Sequence, residues 1–153
     1  MQCDREKPGG DLTNRLTTGG FRFTPQRQHV YDVLLRKRDH PTADEVFIRA
    51  KRTMADISMA TVYNCLDALV QCGLVRQVTL DRGATRFCLN MREHGHFYCD
   101  ECGTITDVDL PAKAPAAVPL PRGFLARRFE IAIHGVCPDC AKRKKRRFAA
   151  ATN

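Results

Sequence analysis

Two short cysteine motifs constrain this chain more than any other feature. Cys99-Asp100-Glu101-Cys102-Gly103 and Cys137-Pro138-Asp139-Cys140 are both C-x-x-C knuckles. The spacing lets both sulfurs of one knuckle reach one ion, and two knuckles complete the tetrahedral thiolate shell of a structural zinc. The fold therefore has to bring residues 99–102 and 137–140 together. Gly103 supplies backbone freedom directly after the first knuckle. Redox motifs, disulfides and an iron–sulfur cluster compete with this reading. No thioredoxin-like βαβ pattern surrounds the pairs, and the closely spaced cysteine run of a cluster protein is missing. Structural zinc on Cys99, Cys102, Cys137 and Cys140 is the preferred reading, with all four positions filled and none open for catalysis.

Disulfides would suit a secreted chain. The N-terminal MQCDREKPGGD lacks the apolar segment of a secretory signal, so a reducing, cytoplasmic setting is expected. No apolar run approaches the ~18 residues of a membrane span, and no membrane partner is expected. A length of 153 residues allows one domain or two small ones, and 43% hydrophobic with 27% charged residues is a globular composition.

The net charge of +8 is unevenly placed. Residues 1–90 carry 14 Lys/Arg against 10 Asp/Glu, a net of +4, spread through the body of that half. Residues 91–153 carry 11 against 7, but six of the 11 form the run Lys142 to Arg147; without it the balance is 5 − 7 = −2. A basic body can neutralise phosphates. A basic tail over 142–153 is expected to be a solvated, mobile end.

Along the chain, residues 1–20 read as a disordered or short helical arm, with a helix from Asp11 to Gly19-Gly20. Thr24 is a good N-cap and Pro25 suits the first helical position, with Val30, Val33 and Leu34 as the buried stripe. Thr42-Ala43-Asp44-Glu45 is a capping box that opens a helix to about Arg52. Ser58 caps a third helix, Met59 to Cys72, with Val62, Leu66, Leu69 and Val70 on one face and Gly73 as its stop. Strands are expected over Leu74–Leu80 and Ala84–Leu89, joined by Asp81-Arg82-Gly83.

Three helices followed by a hairpin is the order of a winged helix-turn-helix, which puts the third helix in a major groove and the hairpin beside the phosphates. A small α+β domain that binds no nucleic acid has the same periodicity. The outward face of the third helix carries Thr61, Tyr63, Asn64 and Asp67, and Asn can read adenine with two hydrogen bonds. Arg22, Arg27, Arg82 and Arg86 are the candidate phosphate contacts. Together with the basic body, this set favours double-stranded DNA as partner.

After Asn90 the pattern changes to strands, expected over His96–Cys99, Thr104–Val108 and Phe124–His134. In the last, Phe129, Ile131 and Ile133 alternate with polar or small residues, the period of a half-buried strand. Pro111, Pro115, Pro119 and Pro121 make a long helix before it unfavourable. Of the other cysteines, Cys65 and Cys72 are expected to be small core or surface residues, Cys3 lies in the arm, and Cys88 ends the wing strand just before His94-Gly95-His96, a spacing that suits a metal.

Thr24-Pro25-Gln26-Arg27, His40-Pro41-Thr42-Ala43, Ala60-Thr61-Val62-Tyr63-Asn64 and His94-x-His96-x-x-Cys99-x-x-Cys102-Gly103 occur in this order. In combination they resemble the ferric uptake regulator family of bacterial metal-dependent repressors, over roughly residues 20–141. The resemblance implies an α+β protein: an N-terminal winged helix over 21–90, then a small α/β dimerisation domain over 91–141 stabilised by structural zinc. It also implies a homodimer on palindromic DNA, and a regulatory metal between the domains that closes the dimer onto its operator. The implied regulatory ligands are His40, His94, His96 and Asp107, with Cys88 at the end of the wing strand. Peroxide and iron sensors of the family carry Asp or Glu there, and its zinc sensors carry Cys. The late-strand histidine of many members falls at Phe129, His134 matches no ligand, and the family's helix between the late strands falls in the proline-rich stretch.

His40, His94, His96 and Asp107 alone suit Fe²⁺, Mn²⁺ or Zn²⁺, and a thiolate softens the site toward Zn²⁺. The sequence thus reads as a metal-responsive repressor leaning to zinc, with an iron, manganese or peroxide sensor as the alternative. In the peroxide case, family members imply that a metal-bound His94 or His96 is oxidised. A zinc hydrolase built on His94 and His96 is the rival of another class, but Glu93 makes neither H-E-x-x-H nor H-x-E.

Overall fold

The computed structural model describes residues 8–79, 83–111, 118–127 and 129–151, with the side chains of 8–11 and 145–151 left aside. The chain divides into two compact units, Met1–Met91 and Arg92–Asn153.

The first unit holds four helices and a hairpin: α1 (Pro8–Thr18), α2 (Pro25–Arg36), α3 (Ala43–Lys51), α4 (Met59–Gln71), β1 (Arg76–Val78) and β2 (Arg86–Cys88). Each of the last three helices starts where its cap predicts. Thr24 Oγ1 accepts the Arg27 N–H at 3.2 Å. Thr42 and Glu45 make the reciprocal capping box, at 3.2 Å from the Glu45 N–H and 2.8 Å from the Thr42 N–H. Ser58 Oγ accepts the Thr61 N–H at 3.1 Å. Gly73, with φ 65°, closes α4 in a conformation that disfavours other residues. Val30, Val33 and Leu34 of α2, Val46 of α3 and Val62, Leu66 and Leu69 of α4 form one buried cluster.

The expected arm is part of this core. Leu12 and Leu16 of α1 are fully buried in the same cluster, and Arg15 donates to the Gly73 carbonyl at 2.8 Å. An isolated N-terminal helix is marginal in water; its apolar stripe makes α1 a core element. The hairpin is shorter than expected, with three residues in each strand paired Arg76↔Cys88, Gln77↔Phe87 and Val78↔Arg86. Its tip, including Arg82, lies outside the described residues.

The second unit is a three-stranded sheet with a C-terminal helix: β3 (His94–Cys99), β4 (Ile105–Asp109), β5 (Ala132–Gly135) and α5 (Pro138–Ala151). The strand order is β4-β3-β5, with β3 antiparallel to β4 and parallel to β5. The long strand expected from Phe124 is reduced to β5. Its register starts at His96↔Ala132, which leaves residues 124–127 with no strand opposite them, and Phe124 and Leu125 are 68% and 92% exposed. The described part of the proline-rich stretch contains no helix. The basic run expected to be a loose tail lies instead in α5. Pro138 opens that helix, Asp139 sits in its first turn where the dipole favours an acid, and buried Cys140 anchors it.

Candidate metal centres

The sheet brings the two knuckles together. The first sits in the turn from β3 to β4, where the Cys99 N–H donates to Thr104 O at 3.0 Å and Gly103, with φ 70°, returns its N–H to Cys99 O at 2.8 Å. Parallel pairing of β3 with β5 ends at Cys99↔Gly135, which delivers the second knuckle at the start of α5. The four Sγ atoms lie within 4.8 Å of one another. Cys102 and Cys137 Sγ are 3.8 Å apart, the edge of a tetrahedron with arms of ~2.3 Å.

Neighbouring donors reach two of the sulfurs. The Cys137 N–H reaches Cys99 Sγ at 3.3 Å, and Arg143 Nη2 reaches Cys140 Sγ at 2.8 Å. Donation from the Cys137 backbone draws the Cys99 thiol down to about 6, while burial pushes Cys140 up to about 12. Four crowded sulfurs ionise together only around a cation, so the donor set fits structural zinc. Lys144 also reaches back to Glu101 at 2.7 Å, fastening α5 to the first knuckle.

The second candidate set has members in each unit. In the second unit, His94 and His96 alternate on β3 and so share a face, and the ladder places Asp107 of β4 opposite His96. Their Nε2 atoms are 2.9 Å apart. Asp107 Oδ1 lies 3.4 Å from His94 Nε2 and 3.6 Å from His96 Nε2. His94 Nδ1 is 2.7 Å from the Arg92 carbonyl, which places the proton on Nδ1 and turns Nε2 toward the cluster. Two nitrogens about 2.0–2.1 Å from one ion are separated by roughly 2.9–3.4 Å at ordinary coordination angles, so the pair fits a shared metal.

In the first unit, buried His40 and Cys88 present ligand atoms within 4.8 Å of each other. The Asn90 N–H donates to Cys88 Sγ at 3.3 Å, a bond that supports a thiolate. His40 has φ 52°, the left-handed region that costs a non-glycine residue roughly 1–2 kcal/mol. The backbone around it is tightly tied. Asp39 takes both guanidinium nitrogens of Arg49 at 2.8 Å, and the Phe87 N–H donates to Pro41 O at 3.0 Å.

Among the candidate DNA residues, Tyr63, Asn64 and Asp67 are exposed on α4, and Thr61 is half-buried beside Ser58. Arg22 is exposed. Arg27 is half-buried over the Phe21 ring, at 5.3 Å, and donates to Arg22 O at 2.5 Å. Arg86 departs from expectation: it turns inward, donating to His40 O at 3.0 Å and lying 3.6 Å from Glu45. Both contacts run through Nη1, so Arg86 is tied to the turn at His40 rather than standing clear of the unit as expected of a phosphate contact. His134 joins neither ligand group; its Nδ1 is 3.4 Å from Asp100 and its ring stacks on Tyr98. Nothing in local sequence announced the roles of Arg86, Arg143 or the Arg92 carbonyl.

A winged helix-turn-helix unit joined to a sheet that gathers four cysteines defines a metal-linked DNA-binding regulator, and the comparisons narrow the class. The family model for the ferric uptake regulator family matches residues 18–134. The chain belongs to that family. It is 32% identical over 127 residues to the peroxide operon regulator of Bacillus subtilis, covering 82% of this chain and 88% of the relative. It is 33% identical over 127 residues to the peroxide-responsive repressor PerR of Staphylococcus aureus, covering 82% and 86%. Among solved structures it resembles a zinc-bound manganese uptake regulator, with a TM-score of 0.65, 25% identity and coverage of 82% and 98%. The protein is thus a metal-responsive transcriptional regulator of α+β fold. Members of the family are regulators rather than enzymes, which sets the hydrolase reading aside. No helix among the described residues is long and apolar enough to cross a membrane.

Proposed function

We propose that the protein is a zinc-leaning sensor that represses its genes as a homodimer on palindromic operators when its regulatory site is loaded. The half-sets His40 with Cys88 and His94, His96 with Asp107 would hold one regulatory ion. Residues 21–90 would bind DNA and 91–141 would dimerise, in a reducing cytoplasm that keeps the cysteines as thiols. A metal drawing ligands from both domains binds the DNA-competent geometry better than any other, which is the physical requirement for a switch. A differential of ~1–3 kcal/mol changes operator affinity 5–150-fold.

The observation that carries the zinc reading is Cys88, buried and hydrogen-bonded by the Asn90 N–H. The structural zinc on Cys99, Cys102, Cys137 and Cys140 is a separate centre. α4 would enter the major groove through Thr61, Tyr63 and Asn64, with Arg22, Arg82 and the partly exposed Arg27 on phosphates. The exposure of Leu120, Phe124, Leu125 and Ile133 in the second unit supports dimerisation, because a second copy would cover them.

A peroxide-sensing reading is favoured by the names of the relatives at 32% and 33% identity. Titration of zinc-centre-loaded protein with Zn²⁺, Mn²⁺ and anaerobic Fe²⁺, followed by operator binding, separates the two. Zinc at the lowest free concentration supports the first reading. Activation by Fe²⁺, lost on peroxide treatment with one oxygen added to His94 or His96 by mass, supports the second. Repetition with Cys88→Asp should demote zinc; an unchanged metal ranking would remove Cys88 from the ligand set.

A further inference from the structure

We propose that Arg86 is a positioning residue of the sensing site that ties the ligand His40 to the wing. The proposal rests on the reading of His40 and Cys88 as metal ligands. Arg86 Nη1 donates to the His40 carbonyl at 3.0 Å, across 46 residues of chain. Its guanidinium lies 3.6 Å from Glu45, and the same Glu45 oxygen accepts the Thr42 N–H at 2.8 Å. Thr42 and Arg86 form an antiparallel bridge, and the next residue on β2, Phe87, donates its N–H to Pro41 O at 3.0 Å. β2 ends at Cys88. The turn that carries the imidazole and the strand that carries the thiol are therefore one hydrogen-bonded piece.

Both contacts of Arg86 run through Nη1, which the planar guanidinium holds in a fixed direction, where a lysine ammonium is a freely rotating point charge. The carbonyl it holds belongs to a residue in the left-handed region, at φ 52°. A ligand kept in a costly backbone conformation needs its surroundings to hold it there. Arg49 does so through Asp39 on one side of His40, and Arg86 does so on the other. Any change in ligand geometry on metal binding then moves β2, and through its pairing β1, so the wing senses the ion directly.

The test uses the full-length protein with its four-cysteine centre zinc-loaded, titrated with Co²⁺, whose thiolate charge-transfer absorption reports Cys88. Arg86→Ala should weaken Co²⁺ binding 10–100-fold, the range for partners that orient a metal ligand, with the thiolate band intact at saturation. Arg86→Lys, which keeps the charge, should lose less and guards against a misfolded alanine variant. At saturating metal both should bind operator with an unchanged salt slope. If both leave Co²⁺ affinity unchanged while lowering operator affinity with a shallower salt slope, Arg86 is a phosphate contact and the proposal fails. His40→Ala and Cys88→Ser are run alongside. If neither alters Co²⁺ binding, the ligand reading itself falls, and this proposal with it.

Discussion

The Nε2 atoms of His94 and His96 face each other at 2.9 Å, with Asp107 Oδ1 within 3.6 Å of both. Two ring nitrogens and a carboxylate oxygen at these separations can present their lone pairs to one shared cation. His96→Ala should remove one ligand of the second centre and leave the zinc on the four cysteines in place. Metal analysis of dialysed protein would read this as one equivalent of zinc retained and the regulatory ion lost. Loss of both ions would refute the separation of the two centres.

Zinc removal should unfold the second unit. Structural zinc sites contribute roughly 10–16 kcal/mol apparent, and here the centre joins β3, the β3–β4 turn and α5. Cys102→Ser should lose zinc and dimerisation together, with α5 losing its helical signal by circular dichroism. A dimeric, zinc-free variant with full helicity would contradict this.

Asp39 gives the first unit an acid-sensitive contact. Burial alone would raise its pKa, but the hydrogen bonds from Arg49 and Lys37 outweigh burial and hold the carboxyl at about 2 instead of 3.8. Because the folded-state pKa is depressed, the stabilisation is present above pH 3.8 and is lost as pH falls toward 2. With partial exposure screening the pair, Asp39→Asn should cost about 1 kcal/mol at neutral pH. Denaturant melts across pH should show the gap between wild type and variant closing below about pH 4. A gap independent of pH would show that the loss is not electrostatic.

Leu16 tests whether α1 belongs to the core. The side chain is fully buried, so Leu16→Ala should cost ~2–5 kcal/mol of unit stability, measured by urea denaturation. A change below ~0.5 kcal/mol, usual for surface positions, would return α1 to the status of an arm.

Asn64 and Arg82 should separate base reading from phosphate contact. Asn64→Ala should cost ~1–3 kcal/mol on the operator and relax specificity at one base pair. Arg82→Ala should weaken all sequences alike and flatten the salt dependence. Competition binding at several salt concentrations reads both. Equal effects of the two variants on operator and random DNA would count against α4 as the reading helix.

The starts of α2, α3 and α4 were legible because a cap acts over three residues: Thr24, Thr42 and Ser58 bond N–H groups that the sequence places beside them. The knuckles were legible for the same reason, since C-x-x-C chelation is local. The inward turn of Arg86 could not be read. Its partners, His40 O and Glu45, lie 46 and 41 positions away, and an arginine on a short strand looks the same whether it faces phosphate or a carbonyl. The alternation from Phe129 to Ile133 promised a half-buried strand, but pairing with β3 begins only at His96↔Ala132, and Ile133 is exposed. The run Lys142–Arg147 repels itself in isolation. It lies in a helix whose first turns are held by Cys140, Arg143 and Lys144 at the knuckles. By itself the sequence determined where α2, α3 and α4 begin and which sulfurs chelate in twos, from bonds spanning a few residues, and which family's pattern the chain carries. The tertiary structure alone decided which charges face inward, how long β5 can be and that α1 is core, because those depend on partners supplied by distant segments.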